Sequence, residues 1–386
     1  MMTSDESTPA PRLIETGAAL QAHCESLRDT AWLGVDTEFL RVNTYYPRLC
    51  LLQLANPDGI VLLDPVKIGH LDPLRGVLAD TGIVKIVHAA RQDLEVMVQH
   101  GVGLPAPVFD TQLAAAFCGH GEQLSYAHMV QSVSGICLAK SETRTNWCER
   151  PLRPEQIQYA ADDVRYLGML YESLHAELVT GGKLDWLQQE CALLADPDQY
   201  QNPPELAYRR LKRGQSLDVA AQHRLSRLAE WRERTAQRID LPREWVLPNA
   251  ALFDLAGLES LDITALHQID SLRPRQRGRW GGELIAALRG AGDDGEPLWP
   301  DAGRLSARQT DLRRRLTTLV QHCAQQHKMS ASLLATRQDL DRLVRGDRTV
   351  AVLHGWRRAA VGDALLAALE DQPASLHERS FVPDRR

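Results

Sequence analysis

Four carboxylates and one tyrosine are the residues of this 386-residue chain whose types and spacing could do chemistry together. In chain order they are Asp36, Glu38, Asp93, Tyr159 and Asp163. Neighbouring carboxylates repel one another unless a positive charge lies between them, and hard divalent cations take oxygen ligands for that purpose. The set therefore predicts a metal-dependent site of the kind that nucleases use.

The first three acids each follow or end an apolar run that is typical of a strand. Residues 32–39 end in Asp36 and Glu38, and alternation along a strand places these two side chains on one face. Asp93 follows the apolar residues 83–88 and a short turn, early in a predicted helix. The alternative is that the pair are solvated acids at a strand end and that Asp93 only pairs with the helix dipole.

The last two residues lie on a helix that the sequence predicts from Pro154 to about residue 178. Tyr159 and Asp163 are four positions apart, so a phenol and a carboxylate share one helix face. The adjacent Asp162 points elsewhere, and we interpret it as a surface acid. Asp110 directly precedes another predicted helix and is interpreted as its N-cap rather than as a ligand.

Composition restricts the class of protein. With 44% apolar residues, the chain suits globular structure of two or three domains. Its seven cysteines are scattered and form no Cys-x-x-Cys pair, which argues against a disulfide framework or a zinc knuckle and favours a reducing cytoplasm. The polar N-terminus and the lack of a long apolar run predict a protein that is neither secreted nor embedded in a membrane.

Charge is distributed unevenly around the net value of −6. Residues 1–200 carry 14 basic and 26 acidic side chains, whereas residues 201–386 carry 30 basic and 24 acidic ones. The basic half could bind a polyanion, since Arg and Lys contacts with phosphate supply most sequence-independent affinity for nucleic acid. The alternative is that its arginines are solvated surface residues. Its densest clusters are Arg209/Arg210/Lys212/Arg213, Arg273/Arg275/Arg277/Arg279 and Arg313/Arg314/Arg315.

The order of apolar patterns predicts a mixed sheet followed by helices. Three strands at residues 32–39, 49–55 and 60–64 form a meander, and later strands are joined through helices. In the C-terminal half, residues 247–255 match 335–343 and residues 281–288 match 362–369 in apolar spacing, which indicates a tandem duplication. The predicted divisions are a flexible tail at 1–11, a domain at 12–200, helical domains at 205–292 and 303–372, and a tail at 373–386.

Three motifs together resemble the ribonuclease D family of the DEDD superfamily of 3′-to-5′ exonucleases. They are Val-Asp-Thr-Glu-Phe at 35–39, His-Ala-Ala-Arg-Gln-Asp-Leu-Glu at 88–95 and Tyr-Ala-Ala-Asp-Asp-Val at 159–164. The resemblance implies an α/β exonuclease domain with an RNase H-like fold, followed by two small all-α domains of the helicase-and-RNase-D C-terminal (HRDC) type. Tyr159, where some relatives have histidine, implies the Tyr subclass.

The resemblance also implies roles for the five residues. Two Mg²⁺ or Mn²⁺ ions would be bound, with Asp36 bridging both ions. Glu38 and Asp163 would complete the ligands of one, Asp93 would support the other, and Tyr159 would orient or help deprotonate the attacking water.

The expected activity is stepwise hydrolysis of RNA from its 3′ end, with tRNA precursors as substrate, nucleoside 5′-monophosphates as products and a monomeric enzyme. Phe39, Arg41 and His88 are predicted to contact the substrate; for the first two, the alternatives are a hydrophobic anchor and a surface arginine. Two other functions stay open at this point. One is an exonuclease for single-stranded DNA, and the other is an RNA-binding scaffold without activity.

Overall fold

The computed structural model describes residues 10–138, 142, 145–290, 295–299 and 304–370. Most of the tail predicted at 1–11 and all of the tail predicted at 373–386 lie outside these residues. Within them, six strands form one sheet in the order β1-β4-β3-β2-β5-β6. The strands are β1 Arg12–Ile14, β2 Trp32–Leu40, β3 Arg48–Asn56, β4 Gly59–Leu63, β5 Val84–Val87 and β6 Val108–Asp110.

The sheet is mixed, as predicted. Strands β2, β3 and β4 form an antiparallel meander, while β5 and β6 continue from β2 in parallel. Strand β1, which the sequence analysis missed, pairs in parallel with β4 and is only three residues long. Strand β2 pairs with β5 only from Trp32 to Gly34, so among the described residues its edge on that side has no strand partner from Val35 onward.

Nine helices lie among the described residues before residue 195. They are α1 Gly17–Ser26, α2 Pro65–Ile68, α3 Asp72–Ala79, α4 Arg91–Gln99, α5 Thr111–Cys118, α6 Tyr126–Ser134, α7 Pro154–Arg165, α8 Leu167–Thr180 and α9 Leu184–Leu194. The prediction of a single helix from residue 154 to about 178 was wrong in one respect, because the structure has two helices there. The helical segment is broken between them. It is interrupted at Tyr166, whose backbone N–H donates to the hydroxyl of Tyr126 at 3.0 Å.

Further along, two series of helices follow one another in a repeated order. Each begins with a helix of about 20 residues, followed by one of four and one of eight residues. The first series is α10 Val219–Ile239, α11 Arg243–Val246, α12 Asn249–Ala256 and α13 Pro274–Leu288. The second is α14 Ala307–Gln326, α15 Ala331–Leu334, α16 Arg337–Val344, α17 Gly355–Arg357, a π-helical turn Arg358–Gly362 and α18 Asp363–Glu370.

The chain divides into two compact units. The described residues within 1–111, 126–171 and 191–303 form the first unit, and those within 112–125, 172–190 and 304–386 form the second. The sheet and the first helical series both belong to the first unit. Within the described ranges, every helix is too short or too polar to cross a lipid bilayer.

One disulfide bond corrects the expectation drawn from the cysteines. Cys50 on β3 is bonded to Cys148, a residue 98 positions away in sequence and 4.9 Å away between Cα atoms. Cysteine spacing could not reveal this pair because the two residues meet only through the tertiary fold. Arg150 reinforces the same connection, with two hydrogen bonds of 2.6 and 2.8 Å to the buried carboxylate of Asp64.

Candidate active site

Close approach of a strand and a helix brings three of the predicted acids into one region. A Cβ atom at Gly34 would lie 3.1 Å from the side chain of Leu167, and one at Gly168 would collide with the indole of Trp32. Because both positions are glycine, β2 packs tightly against the start of α8. Asp163, one turn earlier in the chain, is thereby held beside β2 and its acids.

Asp36 and Glu38 lie two residues apart on β2, opposite Gln53 and Leu51 of β3. Both are half-buried. A β-bulge follows directly between Glu38 and Phe39, and it bends the strand at the end of the acidic pair. The predicted shared face is therefore present, with the acids at the end of a well-anchored strand.

Asp93 occupies the open edge of β2. It lies in the first turn of α4, and its carboxylate accepts a hydrogen bond of 2.5 Å from the hydroxyl of Thr37. Because β5 no longer pairs with β2 beyond Gly34, the N-terminus of α4 can reach this edge and place Asp93 beside the other acids.

Tyr159 and Asp163 lie on α7, which begins at Pro154. The ring of Tyr159 contacts that of Trp147, with 5.9 Å between centroids. Trp147 is itself buried, and its carbonyl accepts a hydrogen bond of 2.8 Å from Arg150. The segment held by the disulfide and by the Arg150–Asp64 pair therefore supports one side of the Tyr159 ring.

Burial and nearby acidic charges raise the pKa values of all four carboxylates. Burial, followed by the charges of Asp93, Asp163 and Glu38, holds the pKa of Asp36 well above its usual range. Burial and the charges of Asp163 and Asp93 raise the pKa of Glu38 to about 9. Burial raises the pKa of Asp93 to about 6, against the opposing hydrogen bond from Thr37. Burial, followed by the charges of Asp162 and Asp93, raises the pKa of Asp163 to about 7.

This donor set fits divalent cations. In the part of the chain that the structure describes, none of the four carboxylates forms a salt bridge with Lys, Arg or His. Clustered acids without a positively charged protein partner have raised pKa values, and a cation that binds between them stabilises their ionised form. Their ligand atoms are all carboxylate oxygens, which suit Mg²⁺ and Mn²⁺ better than softer metals.

Two nearby acids have other partners. Asp162 accepts hydrogen bonds from Arg165 at 2.7 Å and from Gln158 at 2.9 Å, on the flank of α7. Asp110 accepts from the backbone N–H groups of Ala89 and Ala90, in the turn that leads into α4. Asp162 therefore neutralises a helix-surface arginine, and Asp110 shapes the turn that carries Asp93.

The three predicted substrate contacts lie around the acids in different settings. Phe39 is half-buried at the bulge. Arg41 is exposed and forms an ion pair of 2.8 Å with Glu95 of α4. The imidazole of His88 is placed by Thr111, with 2.9 Å between Nδ1 and the hydroxyl oxygen. Contact of these residues with substrate stays a prediction.

Sequence reasoning missed three residues that support the site: Thr37, Trp147 and Tyr126. The Tyr126 hydroxyl donates to the carbonyl of Asp162 at 3.1 Å, and its ring packs edge-on against His88. Burial, opposed by the hydrogen bond from Tyr166, raises the pKa of Tyr126 well above its usual range, so it stays a neutral donor. Thr37 could have been predicted as a supporting residue because it lies between Asp36 and Glu38 in the sequence. No local sequence pattern marks Tyr126 or Trp147 as part of the site.

Comparison with known proteins agrees with this geometry. A family model described as 3′-5′ exonuclease matches residues 11–179, and an HRDC domain model matches residues 221–288. A ribonuclease D of Acidiphilium cryptum is 36% identical over 372 residues, which cover 95% of this chain and 94% of that protein. A ribonuclease D of Pseudomonas paraeruginosa is 35% identical, covering 94% of this chain and 99% of the relative.

A solved structure supports the same assignment. The crystal structure of Escherichia coli RNase D is similar with a TM-score of 0.86 and 32% sequence identity, covering 94% of this chain and 99% of that one. The mixed sheet of the RNase H-like exonuclease fold and the HRDC domain after it are thus shared. Identity of this extent over nearly the full length establishes that the chain belongs to the ribonuclease D family and is a 3′-to-5′ exoribonuclease.

Proposed function

We propose that the enzyme shortens RNA stepwise from the 3′ end with the help of two divalent cations, Mg²⁺ or Mn²⁺, and releases nucleoside 5′-monophosphates. The observation that carries this proposal is a group of four half-buried carboxylates on β2, α4 and α7 that form no salt bridge in the described residues, and whose pKa values are raised by burial and nearby acids. When bound, such cations supply positive charge to the entering and leaving oxygens and acidify the attacking water.

Each residue has a role in this mechanism. Asp36 would hold both cations, Glu38 and Asp163 would hold one, and Asp93 would hold the other, with its orientation maintained by the hydrogen bond from Thr37. The hydroxyl of Tyr159 would face the attacking water. There it would orient this water and assist its deprotonation. The packing of Trp147 against the tyrosine ring supports this role because it restricts the positions that the phenol can adopt.

We also propose details that the family assignment alone does not specify: the subclass, the domain division and the substrate. We place the enzyme in the Tyr subclass on account of Tyr159, and we assign a second HRDC-like domain to residues 303–372 because its helices follow the same order of lengths as the first series. Domain bounds of 12–200 and 205–292 complete this division. The E. coli relative is described as an exoribonuclease involved in structured RNA processing, which supports structured RNA as the substrate class. Within that class we propose tRNA precursors as substrate, and we propose a monomeric enzyme in the cytoplasm.

The first test follows the length of a 3′-extended tRNA transcript over time, with Mg²⁺ and with a chelator. We expect products that shorten stepwise from the 3′ end, and we expect no shortening with the chelator or with Asp36→Asn. A DNA oligonucleotide of matched sequence is the control that shows whether the enzyme requires ribose rather than deoxyribose in its substrate. Shortening that survives the chelator would contradict the metal mechanism, and internal cleavage would contradict the exonucleolytic one.

A further inference from the structure

A buried glutamine lies beside one of the candidate metal ligands. Gln53 is the only polar residue of the segment 49–55 on β3, and it pairs across the antiparallel ladder with Asp36 on β2. Residues that pair in this way project from the same face of a sheet, with their Cβ atoms roughly 4.5–5.5 Å apart. The side chain of Gln53 is therefore a direct neighbour of the Asp36 carboxylate.

The face that these two side chains share is covered by helices. Ala55 projects from the same face of β3 as Gln53, since the two residues are two positions apart. The side chains of Ala55 and Leu167 lie 3.5 and 3.1 Å from the position that a Cβ atom would take at Gly34. Leu167 begins α8, and α7 before it packs against β2, β3 and β4. Gln53 has no exposed surface, so its side chain is enclosed between the sheet and these helices.

The amide of Gln53 is buried without hydrogen bonds. In the part of the chain that the structure describes, neither its nitrogen nor its oxygen has a partner. The other buried glutamines there, Gln156, Gln222 and Gln276, each form hydrogen bonds with both atoms. A buried amide without partners costs free energy that folded proteins ordinarily avoid. The contrast indicates that Gln53 gains its partner in another state of the site.

Asp36 is the polar group that the sheet places next to this amide. Within the described ranges, no side chain donates a hydrogen bond to the Asp36 carboxylate, whereas the Asp93 carboxylate accepts one from Thr37. A carboxylate that binds metal is ordinarily held in place by a hydrogen bond from a neighbouring group. An amide N–H is suited to this task because it is neutral and does not offset the negative charge that attracts the cations.

We propose that Gln53 is a positioning residue of the cation site. Its side-chain amide donates a hydrogen bond to the Asp36 carboxylate when divalent cations are bound, and this bond fixes the orientation of the carboxylate. Because Gln53 is fully buried, it acts through Asp36 and does not touch the RNA. The inference rests on the proposed two-cation mechanism and adds to it a residue of β3 that carries no charge.

The test measures binding of Mn²⁺ to the full chain without RNA, from the decrease of the electron paramagnetic resonance signal of free Mn²⁺. Gln53→Met removes the amide and keeps a similar shape, and it is expected to weaken Mn²⁺ binding by about 10- to 100-fold. Gln53→Leu is a second apolar replacement and should weaken binding in the same way. Wild-type affinity in both variants would overturn the proposal.

Thermal unfolding with chelator separates this role from a structural one. An apolar group in place of a buried amide without partners should leave the Tm of the metal-free protein unchanged or raise it. Gln222→Met is the matched control, because this buried amide bonds to the backbone of Leu217 and Leu298. It should lower Tm and leave Mn²⁺ affinity unchanged. Equal losses of Mn²⁺ affinity in Gln53→Met and Gln222→Met would overturn the proposal.

Failure of the underlying function gives a different result. Asp36→Asn removes a ligand charge and should weaken Mn²⁺ binding strongly. If it binds Mn²⁺ as wild type does, the proposed cation site is wrong. If Asp36→Asn weakens binding and the Gln53 variants do not, only the role of Gln53 is wrong.

Cleavage of a short RNA gives a further readout of the same role. Saturating Mn²⁺ should restore most of the wild-type rate in Gln53→Met, because the amide acts on metal affinity, but should not restore it in Asp36→Asn. A rate of Gln53→Met that does not respond to added Mn²⁺ would contradict the positioning role.

Discussion

The hydroxyl of Tyr45 donates a hydrogen bond of 2.5 Å to Glu233, a residue 188 positions further along the chain. Tyr45 lies in the loop between β2 and β3, whereas Glu233 lies on α10 of the first helical series. Arg243 completes the contact, with two bonds of 2.6 Å to the same carboxylate and its guanidinium over the tyrosine ring. The loop that follows the acidic strand is thereby anchored in the core of the helical series.

Tyr45→Phe is expected to destabilise the protein by about 1–2 kcal/mol, because the buried Glu233 loses one of its donors. Urea unfolding measures this change in the free energy of unfolding. Tyr46→Phe, at the neighbouring exposed tyrosine, should have almost no effect. The losses of Tyr45→Phe and Glu233→Gln should not add in the double variant, since both remove the same bond. Strict additivity would show that this bond does not contribute.

Asp163→Asn is expected to lower kcat/KM by at least about 100-fold, because it removes one ligand charge from the proposed cation site. Asp162→Asn is a closely matched control on the same helix, and its carboxylate pairs with Arg165 instead. This control should retain nearly full activity. The measurement is kcat/KM of both variants from initial rates on a short RNA at saturating Mg²⁺. Similar decreases in kcat/KM for both variants would mean that Asp163 has no special role.

Thr37→Val is expected to weaken the response to Mg²⁺ by about 10-fold, because Asp93 loses the hydroxyl that orients it. Thr37→Ser keeps the hydroxyl and should restore most of the response. The measurement is the Mg²⁺ concentration that gives half-maximal rate. If excess Mg²⁺ does not recover the rate of Thr37→Val, the effect is on the chemical step rather than on metal affinity.

His23 is expected to make stability depend on pH in acid solution. Burial, with the nearby charge of Arg12 second, lowers the pKa of His23 from 6.5 to about 4. The unfolded chain therefore binds more protons than the folded one between these values, so stability is complete above pH 6.5 and falls as the pH drops toward 4. The shift corresponds to roughly 3 kcal/mol.

Urea unfolding at about pH 7 and about pH 4.5 checks this expectation. His23→Gln cannot titrate and should lose less stability than wild type between the two conditions. His70→Gln, at an exposed histidine, should follow wild type. Equal pH dependence in all three proteins would assign the acid sensitivity to other groups.

Much of the fold could be predicted because strand and helix periodicities are local properties. The meander of β2 to β4 and the two series of helices are examples, since each element carries its own apolar pattern. Short or long-range features were not predictable in the same way. Strand β1 has three residues, too few for a periodic signal. At the helix break, the backbone N–H of Tyr166 donates a hydrogen bond to the hydroxyl of Tyr126, forty positions away in sequence.

The sequence by itself determined the chemical groups of the candidate site and the elements that carry them, because the type of a residue and its spacing on a strand or helix are local facts. Only the tertiary structure decided how these groups act together. The raised pKa of Glu38 depends on burial and on charges from two distant helices, and the partner of Thr37 lies 56 positions away. Desolvation and Coulomb interaction depend on distance in space, which the order of residues along a chain does not specify.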